Sequence, residues 1–318
     1  MSSSSEQVDP IVHRFAAATC VVALLPIGIG TLVTTLRAGM AFADWPTSDG
    51  HNMLLYPWLS DLRNPDRFAE HGHRLAGMVI GFTSIALVAV AFLRERRSWV
   101  RMYSIVILVA VVAQGLLGGA RVLLDANLLA MVHSLSGAIF FVLCVVFAML
   151  TGSKWSAARA DMFQCSAAAA AAVLLLPVFV LMQYWLGGMF RHMGRMMYEH
   201  LAGAVLVTLV ALLASVLLMR SKSASLRSSG RLVLSALLIQ LGLGVGAWLT
   251  KLNVPALGWV ASTGSLASVV FRSAHTIGGM LLLTSSVLAA VHVARRLSWQ
   301  AVTSPLNADR VGTKERLA

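Results

Sequence analysis

The sequence predicts an all-α polytopic membrane protein in which eight transmembrane helices form two pseudo-symmetric four-helix bundles. Of its 318 residues, 58% are hydrophobic and only 12% are charged, and the mean hydropathy is +0.78. Soluble domains of this length do not show that balance. Backbone groups in lipid must satisfy their own hydrogen bonds, so apolar runs that can cross about 30 Å of hydrocarbon are expected to be helices.

Eight apolar runs are long enough to span the membrane. The third and seventh give the weakest patterns because glycine-rich stretches interrupt them. The predicted spans cover residues 14–36, 70–93, 101–121, 127–150, 163–186, 196–219, 231–250 and 268–294.

A short polar linker at residues 151–162 divides the spans into two halves. The first half covers residues 14–150 and the second covers residues 163–294. Residues 1–13 form the N-terminal flank. Residues 295–318 form a polar tail that is expected to be unstructured from about residue 298.

The net charge of +12 reflects membrane topology and does not indicate a nucleic-acid partner. Of 25 Lys and Arg residues, 16 lie at the N-terminus, in the loops after even-numbered spans and in the tail. This is the positive-inside bias, which predicts that both termini are cytoplasmic. The N-terminus lacks the Arg-rich amphipathic pattern of a transit peptide, so a bacterial cell (inner) membrane is the simplest location.

Three cysteines, Cys20, Cys144 and Cys165, lie within or beside apolar spans. Their spacing suits neither a zinc site nor a disulfide framework. We interpret each of them as a small buried hydrophobic residue.

Each even-numbered span carries one histidine near its start, and the four histidines lie at one membrane depth. They are His73, His133, His200 and His275. Ionisable residues inside a span are costly and indicate function. A glycine or alanine follows each of them four residues later on the same helix face, at Gly77, Gly137, Ala204 (after Gly203) and Gly279. This leaves bare backbone against which a flat group can lie.

Haem suits these histidines better than zinc does. Two come from well-separated helices of each half, no cysteine accompanies them, and the small residues leave room for a macrocycle. The sequence therefore predicts two hexacoordinate haem sites, one held by His73 with His133 and the other by His200 with His275.

The odd-numbered spans repeat a second pattern, Gln-x-x-x-Gly. It occurs as Gln114–Gly118, Gln183–Gly187 and Gln240–Gly244, and Pro26–Gly30 stands at the matching place of the first span. The repeating unit is a helix pair used four times or a four-helix half used twice. The small residues favour close helix packing, a cofactor pocket, or both.

An acidic residue distinguishes the first predicted site from the second. Glu70 precedes His73 by three residues, so both lie on one helix face. Its carboxylate is a candidate general base, or a stabiliser of developing positive charge. The alternatives are an ion pair with Arg74 or a favourable position on the helix dipole. Glu199 lies directly before His200, on a different face, and is a poorer candidate.

Arginines at the outer span ends are candidate partners for haem propionates, since guanidinium groups bind carboxylates well. Arg74 and Arg121 belong to the first half, and Arg191, Arg195 and Arg272 to the second. The outer loop, residues 37–69, is long enough to be a lid or a docking surface. Its aromatic residues could equally be interfacial anchors. The remaining histidines, His13, His51, His71, His192 and His292, are mostly expected to be solvated or interfacial.

With these residues the chain resembles the haem A synthase family, as a divergent bacterial member. The Glu-x-x-His-Arg run of that family is similar to Glu70-His71-Gly72-His73-Arg74, and the segment after its first span resembles residues 37–46. The eight spans, the two halves and one histidine on each even-numbered span extend the resemblance over nearly the whole chain.

The resemblance implies oxidation of the C8 methyl group of haem O to the formyl group of haem A, with oxygen taken from water. Glu70 would serve catalysis, His73 with His133 would hold the substrate haem, and His200 with His275 would hold a permanent haem b. The implied partners are haem O synthase and the assembly of cytochrome oxidase. The electron acceptor and any self-association are left open.

The chain departs from the family in its first outer loop, which lacks the cysteine pair that some members carry. Leu201 also follows His200 where an arginine is common. Two other functions remain compatible with the histidines. One is a dihaem electron-transfer cytochrome working with quinol, and the other is a non-enzymatic carrier of haem O. A transporter would leave the aligned histidines unexplained.

Overall fold

The computed structural model describes residues 8–157, 167–251 and 260–302. Within these residues the regular structure is helical, and eight helices are long and apolar enough to cross a membrane. The predicted fold class, an all-α polytopic membrane protein, is confirmed.

Four long helices form the first half, each packed against the next and the last against the first. A short 3₁₀ helix, Trp58–Arg63, lies in the long loop between the first two. The four are α1 (Pro10–Leu36), α2 (Pro65–Arg94), α3 (Ser98–Leu123) and α4 (Asn127–Thr151).

The second half repeats this ring of four after a short helix, α5 (Ser153–Ala157). Its long helices are α6 (Ala167–Met193), α7 (Met197–Met219), α8 (Ala224–Leu249) and α9 (Leu266–Val302). The halves meet where α1 and α4 pack against α6 and α9. We call the end of the bundle with the 37–64 loop the loop end, and the opposite end the terminal end.

The observed helices differ from the predicted spans mainly at their ends. The two spans with glycine-rich stretches, α3 and α8, are continuous helices. Part of the predicted linker is helical in α5, while residues 158–166, which include the predicted start of the fifth span, lie outside the described residues. The last helix continues to Val302, past residue 298, where the unstructured tail was expected to begin.

The sequence fixes two helix starts through their caps. Asp9 precedes Pro10, and its carboxylate accepts a hydrogen bond from the N–H of Ile11 at 2.7 Å. Asn64 precedes Pro65 and accepts from the N–H of Arg67 at 3.3 Å. A polar cap followed by proline at the first helical position satisfies exposed donors and sets the backbone angle.

A buried polar cluster joins the two halves at the loop end. Arg191 of α6 donates to the carbonyl of Thr31 at 2.9 Å and to the hydroxyl of Thr35 at 2.8 Å, both on α1. Its other terminal nitrogen donates to the hydroxyl of Thr276 on α9 at 2.7 Å. Thr35 and Ser273 complete the cluster at 3.0 Å. A guanidinium that serves three helices fixes how the halves meet.

Glu95 holds α1 and α2 together at the terminal end. Its carboxylate accepts from the Arg97 guanidinium at 2.9 Å and from the backbone N–H of Asp9 at 3.3 Å. The hydrogen bonds from Arg97 lower the pKa of Glu95 to about 2, against the opposing effect of burial.

Replacing this carboxylate should lower stability in a pH-dependent way. Because the folded pKa is depressed, the ionised form stabilises the fold above the unfolded pKa of about 4.3, and that contribution disappears as pH falls towards 2. We expect Glu95→Gln to lower the midpoint of thermal unfolding by a few degrees at pH 7. The difference from wild type should shrink between about pH 5 and pH 2. Asp125→Asn, which removes an exposed carboxylate at the loop end, is the control. If the unfolding midpoints of Glu95→Gln and wild type differed equally at all pH values, the stabilising role of the ionised Glu95 would be contradicted.

Candidate functional site

The structure brings together both predicted pairs of histidines. The rings of His73 on α2 and His133 on α4 have centroids 6.1 Å apart and planes at 89°. The rings of His200 on α7 and His275 on α9 have centroids 6.3 Å apart and planes at 87°. The two halves therefore present the same perpendicular pair of imidazoles.

The spacing of each pair fits two axial ligands of one iron. An imidazole nitrogen lies about 1.1 Å from its ring centre and metal–imidazole bonds are about 2.0 Å long, so the two ring centres would lie about 6 Å apart. In the described part of the chain, no group of three or more His, Cys, Asp or Glu side chains could hold a metal ion. Two ligands on opposite sides suit a metal whose other ligands come from a macrocycle.

Each histidine ring lies against a glycine of the preceding odd-numbered span. A Cβ atom at Gly30, Gly187 or Gly244 would lie 2.9 Å from Cε1 of His73, His200 or His275 respectively. At Gly118 the distance to Cε1 of His133 would be 3.2 Å. These are the glycines of the Gln-x-x-x-Gly repeat and of its Pro26–Gly30 counterpart. The repeat therefore makes room for an imidazole at four equivalent places.

The residue one turn before each of these glycines faces the histidine as well. Nδ1 of His73 donates to the carbonyl of Pro26 at 2.9 Å, which leaves the lone pair on Nε2. The amide of Gln183 lies 3.0 Å from Nδ1 of His200, and it donates to the backbone carbonyl of that histidine at 2.8 Å. Such contacts orient a ring and set which nitrogen can bind a metal.

A cavity of about 320 Å³ opens beside the first pair. Both histidines line the cavity. Glu70 of the first half and Tyr184 of the second half line it as well. A Cβ at Gly77 would meet nothing within 4 Å, so this part of the wall is bare backbone, as the sequence predicted. The lining is mostly apolar with charged side chains among it, adjoins two imidazoles and leaves room for a flat group.

The wall is less open at the other small residues. In the first half, a Cβ at Gly137 would lie 3.5 Å from the amide of Gln114. In the second half, glutamine side chains come closer. The side chain of Gln183 covers Gly203, and the amide of Gln240 lies 3.3 Å from the position of a Cβ at Gly279. Tyr184 lies at the same distance from that position. The expected bare backbone is therefore covered by polar side chains here, because the glutamines one turn from Gly187 and Gly244 reach across to it.

Glu70 is buried, and both of its carboxylate oxygens accept hydrogen bonds. One carboxylate oxygen forms an ion pair with Arg74 at 2.7 Å. The other accepts from the backbone N–H groups of Ala41 at 2.7 Å and Phe42 at 3.3 Å. The carboxylate thus lines the cavity and also anchors the long loop. The ion pair that the sequence offered as an alternative role is present.

The long loop folds over the first site. Arg74 donates to the carbonyls of Asp44 at 2.9 Å and Thr47 at 2.7 Å. Arg121 donates to the carbonyl of Gly39, and Trp45 occupies the space that a Cβ at residue 119 would need. The two arginines predicted to contact propionates therefore hold loop carbonyls in the structure, while both also line the cavity.

The other predicted residues have varied surroundings. Arg191 lines the cavity and binds across the halves, whereas Arg195 and Glu199 are exposed. Arg272 lies one turn before His275 and its carbonyl accepts from Arg191 at 3.1 Å.

The expectation that the remaining histidines are mostly solvated or interfacial is wrong for His71. This side chain is 0% exposed, and its Nδ1 lies 3.0 Å from the hydroxyl of Ser48 in the loop. Phe42, Tyr56 and Trp58 surround its ring. The sequence offered one indication of this burial, because His71 directly follows Glu70 at the start of α2, next to the long loop. Of the other four, only His51 is exposed.

One family model matches the first half of the chain. Residues 2–145 match the family model COX15-CtaA, described as cytochrome oxidase assembly protein. The matched range includes the first histidine pair and Glu70, and it confirms the family resemblance. No curated protein matches the chain.

The close contact between glycine and imidazole can be tested by adding one methyl group. We expect Gly244→Ala to destabilise the protein by about 1–3 kcal/mol, because the new Cβ overlaps His275. Gly242→Ala is the control two residues away, since its Cβ would meet nothing within 4 Å. Replacing glycine by alanine in a helix otherwise stabilises it by about 1 kcal/mol. Thermal unfolding in detergent measures both, and equal effects of the two substitutions would contradict the contact.

Proposed function

We propose that this protein is a haem A synthase, since residues 2–145 match the COX15-CtaA family model of cytochrome oxidase assembly proteins. It oxidises the C8 methyl group of haem O to a formyl group. The first half binds haem O through His73 and His133, and the second half holds haem b through His200 and His275. The main support for the proposal is that each half holds two perpendicular imidazoles, with ring centroids 6.1 Å apart in the first half and 6.3 Å apart in the second.

The reaction that we propose is a four-electron oxidation. A methyl group and one water give a formyl group, four protons and four electrons, in two steps of two electrons with the alcohol between them. The haem b of the second half would supply one-electron redox chemistry when bound, and an oxidant outside the chain would take up the four electrons. The chain must therefore bind haem O, admit one water and accept protons at the reacting carbon.

Glu70 is the residue best placed to accept those protons. Its carboxylate lines the cavity on the same helix face as His73 and one turn nearer the loop end. Three hydrogen-bond donors hold it in place, from Arg74, Ala41 and Phe42. A carboxylate accepts about four hydrogen bonds, so it retains capacity for a water. It would act as general base towards that water and stabilise positive charge on the carbon.

The loop would exclude bulk water from this chemistry. Arg74 and Arg121 bind its carbonyls, and Trp45 packs on α3 beside the first site. A covered site favours oxidation of the bound methyl group over side reactions of the activated carbon.

The same contacts of Glu70 support a second candidate function. If the carboxylate serves only to anchor the loop, the protein would be a dihaem electron-transfer cytochrome or a carrier of haem O. Both alternatives retain the histidine pairs and the cavity but leave haem O unaltered.

The proposed location is the cell membrane of a bacterium, with both termini in the cytoplasm. The support is the charge distribution, with 16 of 25 Lys and Arg residues at the terminal end or in the N- and C-terminal segments. The proposed partners are haem O synthase, which supplies the substrate, and cytochrome oxidase, whose assembly takes the product.

Expression beside a haem O synthase, followed by pigment extraction, tests the reaction. We expect haem A and its alcohol precursor with the wild type, and at least a roughly hundredfold lower yield with Glu70→Gln. Glutamine keeps an oxygen for the Ala41 and Phe42 donors, so the loop and the haem content should persist. Glu199→Gln, at an exposed carboxylate next to His200, is the matched control and should retain the yield.

Two outcomes would contradict this proposal. If only haem O were recovered with the wild-type protein, the protein would not be a synthase, and the electron-transfer cytochrome and the haem O carrier would remain as its possible functions. Full haem A production by Glu70→Gln would remove the proposed base while leaving the synthase assignment intact.

A further inference from the structure

The two halves differ in charge at three matched places beside their histidine pairs, and at one of these places the sign of the charge is reversed. Three residues before His133 stands Ala130, whereas three before His275 stands Arg272. Seven residues after the glycine that contacts each of these histidines, the first half has Asp125 and the second has Lys251. At the place of Glu70, three residues before His73, the second half has Met197.

The second of these places, where the sign is reversed, lies at the same position after a helix in both halves. Asp125 and Lys251 each follow the end of their helix by two residues. The N–H of Asp125 donates to the carbonyl of Val122 at 3.2 Å, and that of Lys251 donates to the carbonyl of Trp248 at 2.9 Å. The reversal of charge therefore occurs at the same position of each half, although Asp125 has a left-handed backbone with φ 43°.

Lys251 lies in a cluster of positive charges. Its Nζ lies 4.5 Å from the centre of the Phe190 ring, and Phe190 is followed by Arg191. Partial burial, and then the positive charges of Arg272, Arg191 and Arg37, lower the pKa of Lys251. Arg191 reaches the hydroxyl of Thr276, the residue after His275. Arg272 precedes His275 by three residues on α9, so both lie on one helix face and this member of the cluster lies beside the second histidine pair.

No acidic side chain offsets this cluster within the described residues. The ion pairs found there involve Arg67, Arg74 and Arg97. Residues 187–200 and 250–275 contain four basic residues and one acidic residue, the exposed Glu199, and residues 252–259 contain no Asp or Glu. The corresponding segments of the first half, residues 37–74 and 118–133, contain five basic and six acidic residues.

We propose that Lys251 and Arg272 bind the acidic groups of the macrocycle held by His200 and His275 and stabilise an added electron there. The second site then takes up an electron more readily than the first. This inference rests on the proposed function, because it requires haem at both sites. It also assigns the role of the missing arginine after His200, where this chain has Leu201.

The physical basis is the Coulomb interaction between these cations and the added negative charge. At about 10 Å and an effective dielectric constant near 20 to 40, one unit charge changes an equilibrium by roughly fourfold to fifteenfold. Salt and solvent around an exposed lysine weaken this effect, so we expect roughly three- to tenfold for each charge.

Redox titration of the purified holoprotein tests the proposal without relying on its activity. At a fixed applied potential, Lys251→Gln and Arg272→Gln should each raise the ratio of oxidised to reduced second-half haem by roughly three- to tenfold. Lys251→Arg keeps the charge and should leave the ratio unchanged. Lys222→Gln removes an exposed charge at the terminal end and is the distant control.

The outcomes separate this inference from the function on which it rests. Unchanged ratios in both glutamine variants with full haem content would overturn the inference alone. An equal shift in Lys251→Arg would overturn it as well, since the effect would then not follow charge. A folded wild-type protein that binds no haem would instead overturn the proposed function.

Discussion

The close approach of an imidazole to a glycine backbone is the contact on which the rest of this structure depends. It brings each even-numbered span against the preceding odd-numbered one, with a Cβ-sized gap occupied by the ring. Repeated four times, it places two histidines of each half opposite one another. A larger residue at any of the four glycines would displace the ring and separate the helices. The site and the helix packing therefore have the same origin.

On this symmetric framework the two halves have different polar surroundings. The first half adds Glu70, the ion pair with Arg74 and a loop that covers the cavity. The second half has Gln183 where the first has Pro26, keeps Gln240 as the counterpart of Gln114, and has a cluster of cations near its histidines. The first arrangement suits chemistry on a bound substrate, and the second suits a fixed group that exchanges electrons. Arg191 joins the two by binding α1 and α9 together.

Much of the fold and of the candidate site could be predicted from the sequence, because membrane-spanning helices are recognised by their length and hydropathy. The eight spans and both histidine pairs follow from such patterns. The role of Gly30, Gly118, Gly187 and Gly244 does not, since a small residue suits packing and ring contact equally. The contacts of Arg74 and Arg121 with the loop, and the burial of His71, depend on how residues 37–64 fold back. No local pattern specifies that fold.

The central claim is that each perpendicular histidine pair ligates one haem. Electron paramagnetic resonance of the oxidised, purified protein tests it most directly, together with haem quantification. Two low-spin ferric species with the strong anisotropy of perpendicular imidazole planes are expected in protein isolated with substrate present. His200→Ala should remove one of them and His133→Ala the other. A signal that survives both substitutions, or a folded protein without low-spin iron, would contradict the claim.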